Sequence, residues 1–230
     1  MESLIASPLF GITLSLLAFE AGSIVFKKTK SPFFNPLLVG TSLVIFILLY
    51  FNIDIENYNK GAGFISFFLG PATVVLAVPL YNQMKLLKSN SVAIITGILV
   101  GSVASIISVV LFSRLLGIDE LLLLSLIPKS ITTPIGIELS KQIGGLPSLT
   151  VISIVIAGNT GYIAAPYICS LFRIKNPVAK GIAIGTSAHA LGTTKAIEMG
   201  EVEGAMGGLA IGIAGIVTVL ITPLLLKFLL

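Results

Sequence analysis

Three polar stretches interrupt an otherwise apolar sequence, and their residue types are those that bind small anions. The first lies around Gly70-Pro71, the second runs from Pro128 to Pro134, and the third from Gly185 to Lys195. Proline and glycine interrupt helices, and a half-helix that begins inside a membrane points free N–H groups and a positive dipole end at its surroundings. The predicted helix breaks are Gly70, Pro71, Pro79, Pro128, Pro134 and Gly185.

Side chains beside these breaks add hydrogen-bond donors and positive charge. Hydroxyl groups donate to carboxylates and lysines attract them, so the stretches predict a site for a small anion near the middle of the membrane. The alternative is that small residues only permit close helix packing. The predicted substrate-binding residues are Thr73, Lys129, Ser130, Thr132, Thr133, Ser187, His189, Gly192, Thr193, Thr194 and Lys195.

Lys129 is the residue whose position needs the most explanation. It follows Glu120 by about two helical turns, which places it roughly 10–12 Å deep at about 1.5 Å per residue. A lysine at the centre of a membrane costs about 2.5–3.5 kcal/mol. A carboxylate ligand, a protein acid such as Glu138, or water must offset this cost. The alternative is that Lys129 extends back to the surface.

Two further polar residues, His189 and Asn159, have two interpretations each. His189, the single histidine, either binds substrate or carries a proton, or else makes a structural hydrogen bond to the backbone. Asn159 either joins helices or lies in a polar cavity, and Glu138 is a second candidate for that cavity. These alternatives stay open at the level of sequence.

The composition predicts that these residues are positioned by membrane helices. The chain has 230 residues, of which 55% are hydrophobic and 10% charged, against about 25% charged in soluble domains. We expect one membrane domain over residues 1–230. Lysines and arginines cluster at segment ends, which excludes a nucleic-acid surface. One histidine and one cysteine cannot build a metal site, and the sequence predicts no enzyme motif and no cofactor.

Six segments are apolar enough to cross the membrane, and two stretches, 120–145 and 181–203, are not. The sequence therefore predicts an all-α polytopic fold with two re-entrant or broken-helix hairpins, although broken helices that span are the alternative. With re-entrant hairpins, nine of fourteen basic residues fall inside, and the N-terminus lies outside. The predicted spans are residues 5–26, 36–51, 63–81, 92–112, 149–171 and 207–229.

The two hairpins also share short sequence matches. Thr132-Thr133, Glu138 and Gly144-Gly145-Leu146 recur as Thr193-Thr194, Glu198 and Gly207-Gly208-Leu209. Hairpins that enter from opposite sides would form an inverted repeat. Matches this short also arise by chance in sequence rich in glycine and threonine, so both interpretations remain.

Across essentially its whole length the sequence resembles the LrgB/CidB family of membrane proteins. One departure is Thr194, where the family more usually has alanine. The matching runs are Asn35-Pro36-Leu37-Leu38, Gly70-Pro71-Ala72-Thr73, Ala77-Val78-Pro79-Leu80-Tyr81, Pro128-Lys129-Ser130-Ile131-Thr132-Thr133-Pro134, Lys180-Gly181, Gly185-Thr186-Ser187-Ala188-His189-Ala190-Leu191-Gly192-Thr193 and Glu203-Gly204-Ala205.

The resemblance implies two functions in a bacterial plasma membrane. One is a holin- or antiholin-like protein that modulates murein hydrolase export and autolysis, without a specific substrate site. The other is a carrier for small monocarboxylates of the pyruvate, glycolate and glycerate type. The resemblance also implies a separate LrgA/CidA-like membrane partner, and we expect a homo-oligomer. Broken polar hairpins with a buried lysine favour the carrier, because a pore needs oligomerising helices rather than a defined anion site.

Overall fold

The computed structural model describes residues 7–31, 34–68, 71, 81 and 84–230, apart from the side chains of residues 86 and 87. The regular structure of these residues is helical, as predicted. Contacts group the chain into two compact units, residues 1–75 and 76–230. The prediction of a single domain stays a prediction.

The described part of the first unit contains helices α1 (Pro8–Thr29), α2 (Pro36–Tyr50) and α3 (Ile55–Phe67). The first two begin with proline, which suits a first helical turn, after a capping Ser7 or Asn35 side chain. Helix α3 corrects the sequence prediction, because residues 55–62 fall between the predicted spans 36–51 and 63–81 and yet are helical. Gly70, Thr73 and Pro79 lie outside the described residues.

The described part of the second unit contains seven helices of 6 to 29 residues and one 3₁₀ turn. The helices of this unit are α4 (Met84–Ser89), α5 (Ser91–Leu115), α6 (Glu120–Leu126), α7 (Thr133–Ile143), α8 (Pro147–Leu171), α9 (Pro177–Met199) and α10 (Glu201–Leu229), with the 3₁₀ turn Ile127–Ser130 between α6 and α7.

Four of the described helices are long and apolar enough to cross a membrane: α1, α5, α8 and α10. Helix α2 is apolar but has only 15 residues, fewer than the roughly 20 that a span needs. The chain is therefore an all-α polytopic membrane protein. The predicted spans 92–112 and 149–171 correspond to α5 and α8, whereas α10 begins six residues before the predicted start at 207.

Helices α6 and α7 form a hairpin that returns to its starting level. The Ser125 hydroxyl accepts a hydrogen bond of 2.8 Å from the backbone N–H of Leu146, and Gly136 lies against Pro128. The 3₁₀ turn and the extended Ile131 reverse the chain between the two helices. We call this the first hairpin, and it has the re-entrant course predicted for residues 120–145.

Helix α9 is also a hairpin, because its backbone breaks at Ala188 (φ −132°) and His189 (φ 43°). A Cβ atom placed on Gly192 would lie 3.0 Å from the carbonyl oxygen of Ile184. In a straight helix residues eight apart are separated by about 12 Å along the axis. The two arms, on either side of the break, therefore run antiparallel and form the second hairpin. The break begins at Ala188, three residues beyond Gly185, the residue at which the sequence predicts a break.

The two hairpins approach each other from opposite ends of α8. The first leads directly into the start of α8, and the second begins six residues after its end, at Pro177. Both reach Ile154, whose side chain lies against Gly136 and whose carbonyl group contacts His189. The arrangement is that of opposed hairpins. The glycine matches are not equivalent within it, because Gly144-Gly145 links two helices whereas Gly207-Gly208 lies inside α10.

Candidate functional site: a cavity with a buried lysine

A cavity of about 810 Å³ lies between α5, the 3₁₀ turn of the first hairpin and the first arm of the second hairpin. Its wall is largely apolar, formed by glycine, alanine, valine and isoleucine side chains. This combination is typical of small-molecule sites, in which a few polar groups orient the ligand. The polar residues of the wall are Asn90, Ser105, Ser108, Lys129, Ser130, Asn176, Thr186 and Ser187.

Lys129 forms the polar centre of this cavity together with two serines. Its ammonium nitrogen lies 3.2 Å from the hydroxyl oxygen of Ser105 and 3.2 Å from that of Ser130. The two hydroxyl oxygens are themselves 2.9 Å apart. Among the described residues, no carboxylate lies within ion-pair distance of Lys129. Within this part of the chain, the groups that hold the lysine are the neutral hydroxyls of Ser105 and Ser130.

A count of hydrogen atoms indicates what this centre can bind. The ammonium group donates to both serines and keeps one of its three hydrogens free. The bond between Ser105 and Ser130 uses one hydroxyl hydrogen and leaves the other free. One N–H and one O–H donor therefore remain beside a positive charge. This set matches the two oxygens of a carboxylate group.

Glu138 does not neutralise Lys129, which was one of the alternatives considered from the sequence. Its carboxylate instead forms an ion pair with Lys141 at 2.7 Å, and both side chains are exposed. Helix α7 carries them on its outer side, away from the residues that line the cavity. With no acidic partner for Lys129 among the described residues, a ligand and water remain as the groups that could offset its burial.

His189 lies behind the cavity wall rather than in it. The residue is 4% exposed, and its Nε2 atom lies 2.9 Å from the carbonyl oxygen of Ile154. This contact joins the tip of the second hairpin to α8. This contact supports the structural interpretation of His189, in which the imidazole makes a hydrogen bond to the backbone. Ser187, two residues earlier, lines the cavity.

Lys195 lies outside the residues that line the cavity and has an acidic neighbour. Its ammonium group is 2.8 Å from Glu198 and lies 5.2 Å from the centre of the Tyr162 ring. The Tyr162 hydroxyl donates to the same carboxylate at 2.7 Å. The three side chains form a closed group that ties the second arm of α9 to α8.

Of the remaining predicted binding residues, Thr73 lies outside the described part of the chain, and the other threonine and glycine positions do not line the cavity. Thr132 and Thr133 begin α7, and Gly192 packs on Ile184. Thr194 is exposed and donates to the carbonyl oxygen of Ala190. The buried Thr193 hydroxyl has no hydrogen-bond partner among the described residues. The structure therefore brings Lys129, Ser130 and Ser187 together in one cavity, and the other described members of the set lie outside its wall.

Asn159 and three of the predicted helix breaks can be placed in the structure. Asn159 donates to the Val155 carbonyl of its own helix, and its side-chain oxygen has no partner in the described part of the chain. Pro128 lies in the 3₁₀ turn and Pro134 in the first turn of α7. Gly185 is inside an arm, against Gly207 of α10, where its missing side chain permits close packing.

Sequence reasoning missed the contribution of α5 to the site. Ser105 and Ser108 lie in a segment that was read only as an apolar span, yet both line the cavity. A signal was present, because Ser102, Ser105 and Ser108 recur at every third position and so share one face of a helix. Thr186 was also missed, and its buried hydroxyl has no partner among the described residues.

In the described ranges, no group of three or more His, Cys, Asp and Glu side chains could hold a metal ion. The polar groups of the cavity wall are one ammonium group, several hydroxyl groups and the side-chain amides of Asn90 and Asn176. Fold and site together define a polytopic membrane protein with two opposed helical hairpins and, beside them, a cavity lined by one lysine and several hydroxyl side chains.

Comparison with known proteins identifies the family. A family model described as LrgB, the LrgB-like family, matches residues 15–228. The chain is 41% identical over 223 residues to the antiholin-like protein LrgB of Bacillus cereus (strain B4264), an alignment that covers 96% of this chain and 97% of the relative. The antiholin-like protein LrgB of Bacillus anthracis (strain A0248) matches with the same identity and coverage. No solved structure matches. The chain belongs to the LrgB-like family, which confirms the resemblance found in the sequence.

Proposed function

We propose that this protein is a carrier that moves a small monocarboxylate, of the pyruvate, glycolate or glycerate type, across a bacterial plasma membrane. The observation that supports it best is the contact of Lys129 with Ser105 and Ser130 inside the cavity. A buried lysine without an acidic partner among the described residues is costly, and an anionic ligand would offset that cost.

The arrangement of the hairpins supports a carrier over a simple pore. Carriers commonly place their substrate site beside broken helices whose ends meet near the middle of the membrane. Here the first hairpin contributes Lys129 and Ser130, and the second contributes Thr186 and Ser187. Movement of either hairpin would change the access to an anion bound between them.

Uptake of labelled pyruvate and glycolate into liposomes containing the purified protein tests this proposal. We expect Lys129→Met to abolish uptake, because the anion loses its charged partner. Lys195→Met is the matched control, since it removes a lysine that pairs with Glu198 outside the cavity wall. Equal uptake by the wild-type protein and Lys129→Met would contradict the proposal. The assay is run with and without an LrgA/CidA-like protein, which the family membership suggests as a partner.

The names of the relatives favour a second candidate function. Proteins 41% identical to this chain are called antiholin-like, which suggests a role in controlling murein hydrolase export and autolysis. Such a role needs no specific substrate site. Leakage of a large dye from the same liposomes, unchanged by Lys129→Met, would favour it. If the carrier proposal holds, an effect on autolysis would follow indirectly from the flux of an organic acid.

A further inference from the structure

The cavity has two chemically different ends. At one end its wall includes Asn90 and Asn176, the residues that immediately precede α5 and α9. At the other end it reaches Ser105 and Lys129. Ser105 is fifteen residues beyond Asn90 along α5, which corresponds to about 22 Å. The lysine therefore lies at one end of the cavity, and helix termini form the other end, which we call the open end because Asn176 is exposed there.

An apolar cluster lies on the far side of Lys129. It joins the last half of α5 to the first hairpin, and leucines near the end of α10 pack against it. Its buried members are apolar and 9% exposed or less, so apolar packing lies between the lysine and this end of the helices. We call this cluster the plug; its buried residues are Ile106, Val109, Val110, Leu123, Leu124 and Ile127.

Basic residues indicate which side of the membrane each end faces. Cytoplasmic segments carry an excess of lysine and arginine. The helix termini at the open end of the cavity carry Lys85, Lys88, Arg173, Lys175 and Lys180, whereas the termini at the plugged end carry Arg114, Lys141 and Lys227. The open end therefore has the cytoplasmic pattern, and its positive charge also attracts anions towards the cavity.

We propose that the cavity is a vestibule open to the cytoplasm, and that the plug is the gate that closes the Lys129 site from the outside. The structure is then the inward-open state of the carrier. The role of the plug as a gate rests on the proposed transport function. The claim that the cavity is accessible from one side of the membrane only does not. Access can therefore be measured independently of transport.

Single cysteines and a membrane-impermeant anionic reagent, methanethiosulfonate ethylsulfonate, test this access. The native Cys169 is buried and is first replaced in Cys169→Ser, a background whose monodispersity is checked after purification. Ala104→Cys places the thiol in the cavity wall one residue before Ser105. We expect complete modification in inside-out vesicles and none in right-side-out vesicles.

Three further single-cysteine variants serve as controls for access of the reagent from each side. Ala93→Cys lies in the wall near the open end and should react from the cytoplasm. Leu116→Cys, 74% exposed beyond the other end of α5, should react from outside. Ala210→Cys, fully buried in α10, should not react from either side. Modification of Ala104→Cys from outside, from both sides or from neither side would overturn the proposal. So would modification of Ala93→Cys from outside.

The same cysteines separate this proposal from the proposed function. If Lys129→Met transports normally but Ala104→Cys reacts only from the cytoplasm, the vestibule holds and the carrier site is wrong. If uptake depends on Lys129 but Ala104→Cys reacts from outside, the carboxylate site at Lys129 is supported and the opening of the cavity to the cytoplasm is contradicted.

Discussion

The ammonium nitrogen of Lys129 lies 3.2 Å from the hydroxyl oxygen of Ser105, a residue 24 positions earlier in the chain. The contact joins the tip of the first hairpin to a membrane-spanning helix. It also means that the lysine is not extended towards the surface, which was the alternative to a functional role.

Ser105→Ala should weaken carboxylate uptake more than Ser108→Ala. Ser105 is part of the hydrogen-bonded group around Lys129, whereas the Ser108 hydroxyl donates to the backbone of its own helix. A hydrogen bond to a charged group contributes about 1.5–3 kcal/mol, which corresponds to roughly a tenfold rise in KM or more. Concentration-dependent uptake measures this difference. Equal KM values for the two variants would show that Ser105 does not contact the substrate.

Thr186→Val tests whether the Thr186 hydroxyl binds the substrate or makes no contact with it. The Thr186 hydroxyl is buried without a partner among the described residues, and such a group costs about 1–3 kcal/mol. Replacing it with a methyl group of similar size should raise the thermal stability of the purified protein. Thr222→Val is the control and should lower stability, because that hydroxyl donates to Thr218 at 2.6 Å. A loss of uptake in a stabilised Thr186→Val would place this hydroxyl at the substrate.

Gly161→Ala should destabilise the contact between α8 and the second hairpin. A Cβ atom on Gly161 would overlap the Cβ atom of Ala188, at the break of α9. Overpacking of this kind costs about 1–3 kcal/mol. By contrast, a Cβ atom on Gly212 meets nothing within 4 Å, so Gly212→Ala should stabilise α10 by up to about 1 kcal/mol. Thermal unfolding in detergent compares them, and a stable Gly161→Ala would contradict this packing.

His189→Ala should lower stability, and His189→Gln should restore part of it. The imidazole contacts the Ile154 carbonyl oxygen at 2.9 Å, and a glutamine side chain can donate to the same oxygen. A buried hydrogen bond of this type contributes about 1 kcal/mol. The pH dependence of uptake gives the second measurement. If His189→Gln is stable but loses the pH dependence of the wild type, the histidine carries a proton as well.

Tyr162→Phe should destabilise the closed group with Lys195 and Glu198 by about 1 kcal/mol, through loss of one hydrogen bond. Uptake at saturating substrate should change little, because none of the three side chains lines the cavity. Uptake and thermal unfolding are measured on the same preparation. A strong loss of uptake with unchanged stability would mean that this group takes part in transport.

The sequence determined that the chain is a polytopic helical membrane protein, because apolar segments of spanning length are a local property. The family resemblance and the re-entrant course of residues 120–145 and 181–203 were also readable, since proline, glycine and polar residues cannot continue an apolar span. Lys129 and Ser130 could be proposed as binding residues from the sequence because both lie at such a break, and both line the cavity.

Tertiary structure decided which polar residues meet. Ser105 and Thr186 reach the cavity because α5 and the second hairpin pack side by side. The spacing of the serines on α5 marks a helix face, but it does not show which element that face meets. Lys195 and Glu138 looked equally available in the sequence, but each has an ion-pair partner three residues away. The break of α9 at Ala188 and His189, rather than at Gly185, is fixed by the contacts of Gly161 and Ile154 on a neighbouring helix. Propensity names the residues that can break a helix, but packing selects the one that does.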